Sequence, residues 1–276
     1  MQNKESSPGK SQDTNIYRNE WIPEKVKGTV VIVHGIGEHI GRYATIAAAL
    51  NQAGYAVFGF DLPGHGRSGG KRGHFHSYDM LMGIISGRLN DANQCYPEAT
   101  HFLYGHSLGG NLVLYYGFTR KPKLNGIIST APALKVAQEL PAYKTLLVKL
   151  LSGIAPSFTM DTGLDVSNLS RDPSIVQAYQ SDPLVHSKGS VTFAYNMFKS
   201  GQWMLEHANE FPPIPLLLMQ GSGDRIVSPE AARTFAQKCS AQVTYKEWEG
   251  FFHEIHNEPE KEKVFQFMID WMDKQK

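Results

Sequence analysis

His101-Phe102-Leu103-Tyr104-Gly105-His106-Ser107-Leu108-Gly109-Gly110-Asn111-Leu112-Val113-Leu114 is the stretch on which the reading of the fold turns. Its apolar opening, His101 to Tyr104, fits a short buried strand, and Leu108 to Phe118 has the length and apolar spacing of a helix. Between them Gly105-His106-Ser107-Leu108-Gly109 matches Gly-x-Ser-x-Gly, so strand, tight turn and helix follow without a linker. A serine on such a turn projects its hydroxyl above the sheet, and the flanking glycines let neighbouring backbone pass where a Cβ would clash. The context points to a nucleophilic Ser107; its plainer role is a small residue easing a strand-to-helix turn.

Outward from this unit the alternation recurs. Thr29-Val30-Val31-Ile32-Val33-His34 is a continuous β-branched run, as expected for a strand buried on both faces of a parallel sheet. Further strands are predicted at Tyr55 to Phe60, Gly126 to Ser129, Leu216 to Met219 and Val243 to Trp248, with an antiparallel one at Ile16 to Trp21. Helices are predicted at Tyr43 to Ala53, Tyr78 to Cys95, Glu230 to Lys238 and Lys261 to Lys274. Strand and helix alternate, which predicts an α/β sheet with helices on both faces. Residues 1 to 14 are polar and predict no element of the sheet.

The alternation breaks once. From Lys135 to Phe211 there is no convincing buried strand, only helical segments interrupted by Gly and Pro, so this span reads as an insertion between two sheet strands. Pro212-Pro213-Ile214-Pro215 marks the return to the sheet, because clustered prolines favour extended chain. The predicted division is a core of residues 1–134 and 211–276 and an inserted unit of residues 135–210. Within the latter, Leu140, Tyr143, Leu146, Leu147, Leu150, Leu151 and Ile154 recur at helical spacing. That face either packs on the core or roofs an apolar pocket and touches lipid at its rim.

Composition narrows the function. At 276 residues the chain can bury one large core, and 27 Lys plus Arg against 26 Asp plus Glu leave +1, no footprint for a phosphate backbone. Nucleic acid is excluded as the principal partner. Two cysteines, Cys95 and Cys239, are too few for a disulfide framework and lack zinc-site spacing. The first residues contain no apolar leader and no run approaches the length of a membrane span, so a soluble cytoplasmic protein is expected.

A serine hydroxyl is a poor nucleophile until a base removes its proton, and the imidazolium so formed needs an orienting carboxylate. Leu216 to Gly221 leads into Ser222-Gly223-Asp224, and Val243 to Trp248 into Glu249-Gly250-Phe251-Phe252-His253. Asp224 and His253 therefore fall at the carboxyl ends of strands, the edge where Ser107 also lies and where α/β sheets gather their ligands. Asp224 could instead cap the following turn, and His253 could be an ordinary loop histidine. The oxyanion donors expected are the backbone N–H groups of Leu108 and of Ile36 in His34-Gly35-Ile36-Gly37. His34 fits better as a brace of that loop than as a base.

Other matches fail. Gly66-Arg67-Ser68-Gly69-Gly70 repeats the serine pattern inside a Gly-rich loop with no strand entering it, so Ser68 reads as a loop serine. Gly35 to Gly41 spaces its third glycine one residue late for a dinucleotide fingerprint. His253-Glu254-Ile255-His256 is one residue short of the zinc-protease helix pattern. Neither a metal nor another cofactor is called for.

The chain resembles the monoacylglycerol lipase and lysophospholipase-like branch of the serine α/β-hydrolases. The resemblance rests on His34-Gly35-Ile36-Gly37-Glu38-His39-Ile40-Gly41-Arg42-Tyr43, on Asp61 to Ser68, on Gly105 to Gly110, on Gly221 to Asp224 and on His253 to Pro259. It implies an α/β-hydrolase fold, a mostly parallel sheet flanked by helices, with a helical cap between strands six and seven at residues 135–210. It implies Ser107, Asp224 and His253 as catalytic, Ile36 and Leu108 as oxyanion donors, and Glu38, Arg42 and His256 at the glycerol-accepting end. It also implies a peripheral membrane contact through the cap. The expected function is hydrolysis of monoacylglycerol-like lipid esters without a cofactor. The rivals are a broad carboxylesterase, a thioesterase or a lysophospholipase using the same residues, and a non-catalytic receptor on a hydrolase scaffold.

Overall fold

The computed structural model describes residues 2–6, 10–11, 14–138, 148 and 150–275. Eight strands form the main sheet: β1 (Gln2–Ser6), β2 (Arg18–Ile22), β3 (Gly28–Val33), β4 (Tyr55–Phe60), β5 (Thr100–His106), β6 (Gly126–Thr130), β7 (Leu216–Gly221) and β8 (Val243–Trp248). Their order is β1-β2-β4-β3-β5-β6-β7-β8. From β4 to β8 all neighbours are parallel, whereas β1 and β2 run antiparallel at one edge.

Every residue of β3, β4, β6 and β7 is buried, which the β-branched and aromatic runs require when helices cover both faces. The two-residue period divides β3 between two cores. Val31 and Val33 pack with Leu81 and Ile85 of α2 (Tyr78–Cys95), Leu112 of α3 (Leu108–Arg120) and, farther along, Phe235. Val30 and Ile32 join Ile46 and Leu50 of α1 (Ala44–Gln52) and also Val264 and Met268 on the opposite face. The predicted α/β sheet is the observed one.

Two elements escape the sequence pattern. β1 forms within the polar N-terminal stretch, pairing Gln2 with Ile22 through to Ser6 with Arg18; an edge strand needs only backbone partners and no apolar period. The span between β6 and β7 was expected to be purely helical, yet Thr159–Asp161 and Lys188–Ser190 pair as an antiparallel ribbon. Three-residue strands carry no readable alternation. The helices in this span are α4 (Pro173–Ser181) and α5 (Val191–Glu206), each opened by a side-chain cap, Asp172 and Ser190 respectively. α5 crosses the core closely: a Cβ on Gly201 would stand 2.2 Å from the Leu134 carbonyl oxygen.

Of the predicted apolar helical face, Leu140, Tyr143, Leu146 and Leu147 lie outside the described residues. Leu150 is 57% and Ile154 82% exposed, joined by Phe158 at 53% and Met160 at 56%, so the described part of this face is not core. Among the described residues no helix is long and apolar enough to cross a membrane.

The same span is fastened to the loops above the sheet. The His186 N–H donates to the Gly37 carbonyl at 2.9 Å, and His39 Nε2 donates to Asp182 Oδ2 at 2.8 Å. Gly37 has φ +74°, and a Cβ there would meet the His186 carbonyl oxygen at 2.3 Å. Only glycine fits that approach. On the other side, the Glu254 N–H donates to the Leu169 carbonyl at 2.7 Å.

Candidate active site

β5 ends and α3 begins on Ser107, whose φ of 55° and ψ of −114° put a non-glycine residue in a strained turn. The surroundings enforce it. Ser107 N–H donates to the Thr130 carbonyl, and the Ser107 carbonyl accepts from the N–H groups of Asn111 and Ala133, all at 3.0 Å. The glycines of the motif are explained by approach: a Cβ on Gly105 would lie 2.1 Å from the Gly109 carbonyl oxygen, and one on Gly109 would lie 2.0 Å from that of Val33. The second match has none of this. Ser68 is buried, donates its hydroxyl to the Asp61 carbonyl at 2.6 Å and accepts from Tyr17 N–H at 2.9 Å, the satisfied loop serine the sequence suggested.

Asp224 follows β7 and His253 follows β8, and both are buried. His253 Nδ1 donates to Asp224 Oδ2 at 2.8 Å, which leaves Nε2 as the acceptor nitrogen. The carboxylate is held from three further sides: Oδ1 accepts from the N–H groups of Ile226 and Val227 at 2.8 and 3.1 Å, and Oδ2 from Gln220 Nε2 at 2.9 Å. Burial works against a charge on His253, but Asp224, through its charge and its hydrogen bond, raises the imidazole pKa above the ordinary value, helped by Glu254 and Glu38.

Ser107 and His253 line one cavity of about 30 Å³ with Gly35, Ile36, Glu38 and His106. Among the described residues the Ser107 hydroxyl has no protein hydrogen-bond partner, and neither Ile36 N–H nor Leu108 N–H donates to a protein acceptor. Leu108 is the first residue of α3, so its N–H is one of the donors a helix leaves unused. A hydroxyl, an acceptor imidazole nitrogen and the Ile36 amide around one small space, with the Leu108 amide next to Ser107 in the chain, can form a tetrahedral oxyanion and move a proton.

The loop carrying Ile36 is fixed by Glu38, whose Oε1 accepts from Gly35 N–H and from the Tyr43 hydroxyl, each at 2.7 Å. Arg42 bridges Glu38 at 2.5 Å and Glu254 at 2.7 and 2.8 Å, and its guanidinium stacks over the Tyr179 ring of α4 at 4.7 Å. Burial penalises the Glu254 charge, yet Arg42 more than compensates and holds that carboxyl down to about 2. Glu38 faces the cavity, whereas Arg42 stands behind it. His256 stacks on Tyr43 at 5.1 Å with neither ring nitrogen paired among the described residues, and burial lowers its pKa to about 4. His34 is the brace expected of it: Nδ1 donates to the Gly35 carbonyl at 2.7 Å and Nε2 accepts from Leu62 N–H at 2.9 Å. Sequence reasoning passed over Glu254 and Gln220. Glu254 could have been flagged as the acidic neighbour of His253, but nothing local pairs it with Arg42, 212 residues away.

The model of the family described as serine aminopeptidase, S33, matches residues 24–260. An uncharacterized abhydrolase domain-containing protein of Dictyostelium discoideum is 36% identical over 257 residues, covering 91% of this chain; the chain spans only 27% of that relative's length. The monoacylglycerol lipase of Mycolicibacterium smegmatis is 31% identical over 255 residues, covering 91% of this chain and 90% of the lipase. The crystal structure of the Paleococcus ferrophilus monoacylglycerol lipase superposes with a TM-score of 0.87 at 36% identity, covering 95% of this chain and 100% of that one.

Proposed function

This chain belongs to the serine aminopeptidase, S33, family, among its monoacylglycerol lipase-like α/β-hydrolases, and from that premise we propose that it cleaves monoacylglycerol-like esters into fatty acid and glycerol. The observation that carries the reading is the strained Ser107 sharing a cavity with an Asp224-bound His253 and with Ile36. Ser107 Oγ attacks the ester carbonyl while His253 Nε2 takes its proton, and the N–H groups of Ile36 and Leu108 receive the oxyanion. His253 returns the proton to the departing glycerol oxygen. Water then attacks the acyl-enzyme with His253 again as base, releasing the fatty acid and restoring Ser107.

Glu38 supplies the polar end for the glycerol hydroxyls, with Arg42 fixing its carboxylate and His256 packed behind. Residues 135–210 serve as the cap over the acyl side. Competitive turnover of a monoacylglycerol, a lysophospholipid and a short ester by the purified protein tests the substrate class, since the three share their chemistry and differ in pocket fit. The largest kcat/KM is expected for the monoacylglycerol; a larger value for either competitor overturns the assignment.

The exposed Leu150, Ile154, Phe158 and Met160 support a peripheral contact of the cap with lipid surfaces. Ile154→Asp is expected to lower activity on micellar monoacylglycerol about 30-fold while leaving a short soluble ester within about 2-fold, the transfer cost of one large aliphatic side chain being ~2 kcal/mol. Equal losses on both substrates would rule the contact out.

A further inference from the structure

Asp224 accepts one side-chain hydrogen bond besides that of His253. Gln220, fully buried near the end of β7, donates Nε2–H to Asp224 Oδ2 at 2.9 Å, the same oxygen that receives His253 Nδ1–H. With Ile226 and Val227 N–H on Oδ1, the carboxylate has four donors for its four lone-pair directions. The amide orientation is fixed by chemistry: a flipped Gln220 would aim its carbonyl oxygen at a carboxylate. In the observed orientation Oε1 is buried without a hydrogen-bond partner among the described residues. A buried orphan acceptor is a cost to folding, so the packing of β7 by itself favours an apolar side chain of the same size here.

We propose that Gln220 is a positioning residue of the triad, its amide sharing Asp224 Oδ2 with His253 so as to lock the carboxylate and temper its pull on the imidazole. The inference rests on the reading of Ser107, Asp224 and His253 given above. Tempering matters because His253 is surrounded by negative charge. Asp224 faces it from the loop after β7, Glu38 from the loop after β3 and Glu254 from its own loop. The two imidazoles beside it give no counterweight. His106 of β5, at 4.7 Å between ring centroids, is held neutral by burial, as is His256. Arg42, whose guanidinium belongs to this cluster, is committed to Glu38 and Glu254. An imidazole raised too far stays protonated at neutral pH and cannot accept the Ser107 proton. Each donor on the carboxylate draws on the electron density that would otherwise stabilise the imidazolium.

Gln220→Met keeps the side-chain volume and removes both the donor and the orphan acceptor. The kcat at neutral pH is expected to fall about 10-fold, as for loss of one charge-assisted hydrogen bond. The acid limb of kcat/KM, set in the wild type by the raised His253 pKa, is expected to move to higher pH, while Tm stays level or rises. A role in packing alone predicts the reverse, a lowered Tm with the acid limb unmoved. Gln220→Asn, which keeps the amide but loses the reach, carries the same expectation for the acid limb should the methionine variant not fold. An acid limb that coincides with wild type or moves to lower pH overturns the proposal. Ser107→Ala measured in parallel separates the failures. Retained turnover there defeats the catalytic reading, whereas an inactive Ser107→Ala beside unshifted Gln220 variants defeats only the role of Gln220.

Discussion

Ser107→Ala is expected to lower kcat on every ester the protein accepts by about 10⁶-fold, with KM little changed. On the proposed mechanism the hydroxyl is the group that bonds to the substrate carbonyl, so its removal leaves only the oxyanion donors and substrate binding to act, which together still exceed water. The fold should be indifferent to the change. Ser107 is held at φ 55° by its backbone contacts to Thr130, Asn111 and Ala133, its hydroxyl has no protein partner among the described residues, and alanine bears the same conformational strain as serine. Turnover and Tm of the purified variant are the measurements, together with a fluorophosphonate probe. The probe should label wild type at Ser107 and leave Ser68 untouched, because the Ser68 hydroxyl is already committed to the Asp61 carbonyl. Turnover within 10-fold of wild type, or a label on Ser68, would refute the assignment of the nucleophile.

The second large effect is expected at Asp224. Asp224→Asn should cost about 10⁴-fold in kcat, because an amide in this position can present an N–H to His253 Nδ1 and so turn the imidazole to the tautomer whose Nε2 carries a proton. That nitrogen then cannot accept one from Ser107. The sign of the pH effect follows from the charges. In the wild type Asp224 raises the His253 pKa against the opposing effect of burial, so the base is active above that pKa and silenced as pH falls through it. Without the carboxylate the imidazolium loses its largest support, and the acid limb should move to lower pH even as the plateau drops. This shift is opposite to that of Gln220→Met. A loss smaller than 10-fold, or an acid limb moving upward, would show that Asp224 does not orient the base.

The parts of the molecule legible in its sequence are those in which one local pattern encodes one structural demand. The run of Val30 to Val33 could only be a strand covered on both sides, and Gly105 and Gly109 flank Ser107 because carbonyls pass about 2 Å from where a Cβ would sit. Asp224 and His253 could be located because parallel strands all point their carboxyl ends to one edge, so the residues just beyond β7 and β8 arrive beside those just beyond β5. What stayed hidden depends on contacts between distant segments. The Arg42 bridge from Glu38 to Glu254 joins two loops with no shared periodicity, and the buried Gln220 reads in sequence as one polar interruption of an apolar strand. The ribbon at Thr159–Asp161 and Lys188–Ser190 and the edge strand Gln2–Ser6 are backbone pairings with little apolar content, invisible to any argument from hydrophobic pattern.

The bond from His186 N–H to the Gly37 carbonyl has a bearing on how such proteins diversify. The Gly37 carbonyl closes the turn that carries Ile36 N–H, so the segment from Asp182 to His186 and the proposed oxyanion donor are tied together at one point. On the proposed mechanism, a covering span borrowed from a relative would therefore import its own setting of that donor unless the short stretch from Asp182 to His186 stayed behind.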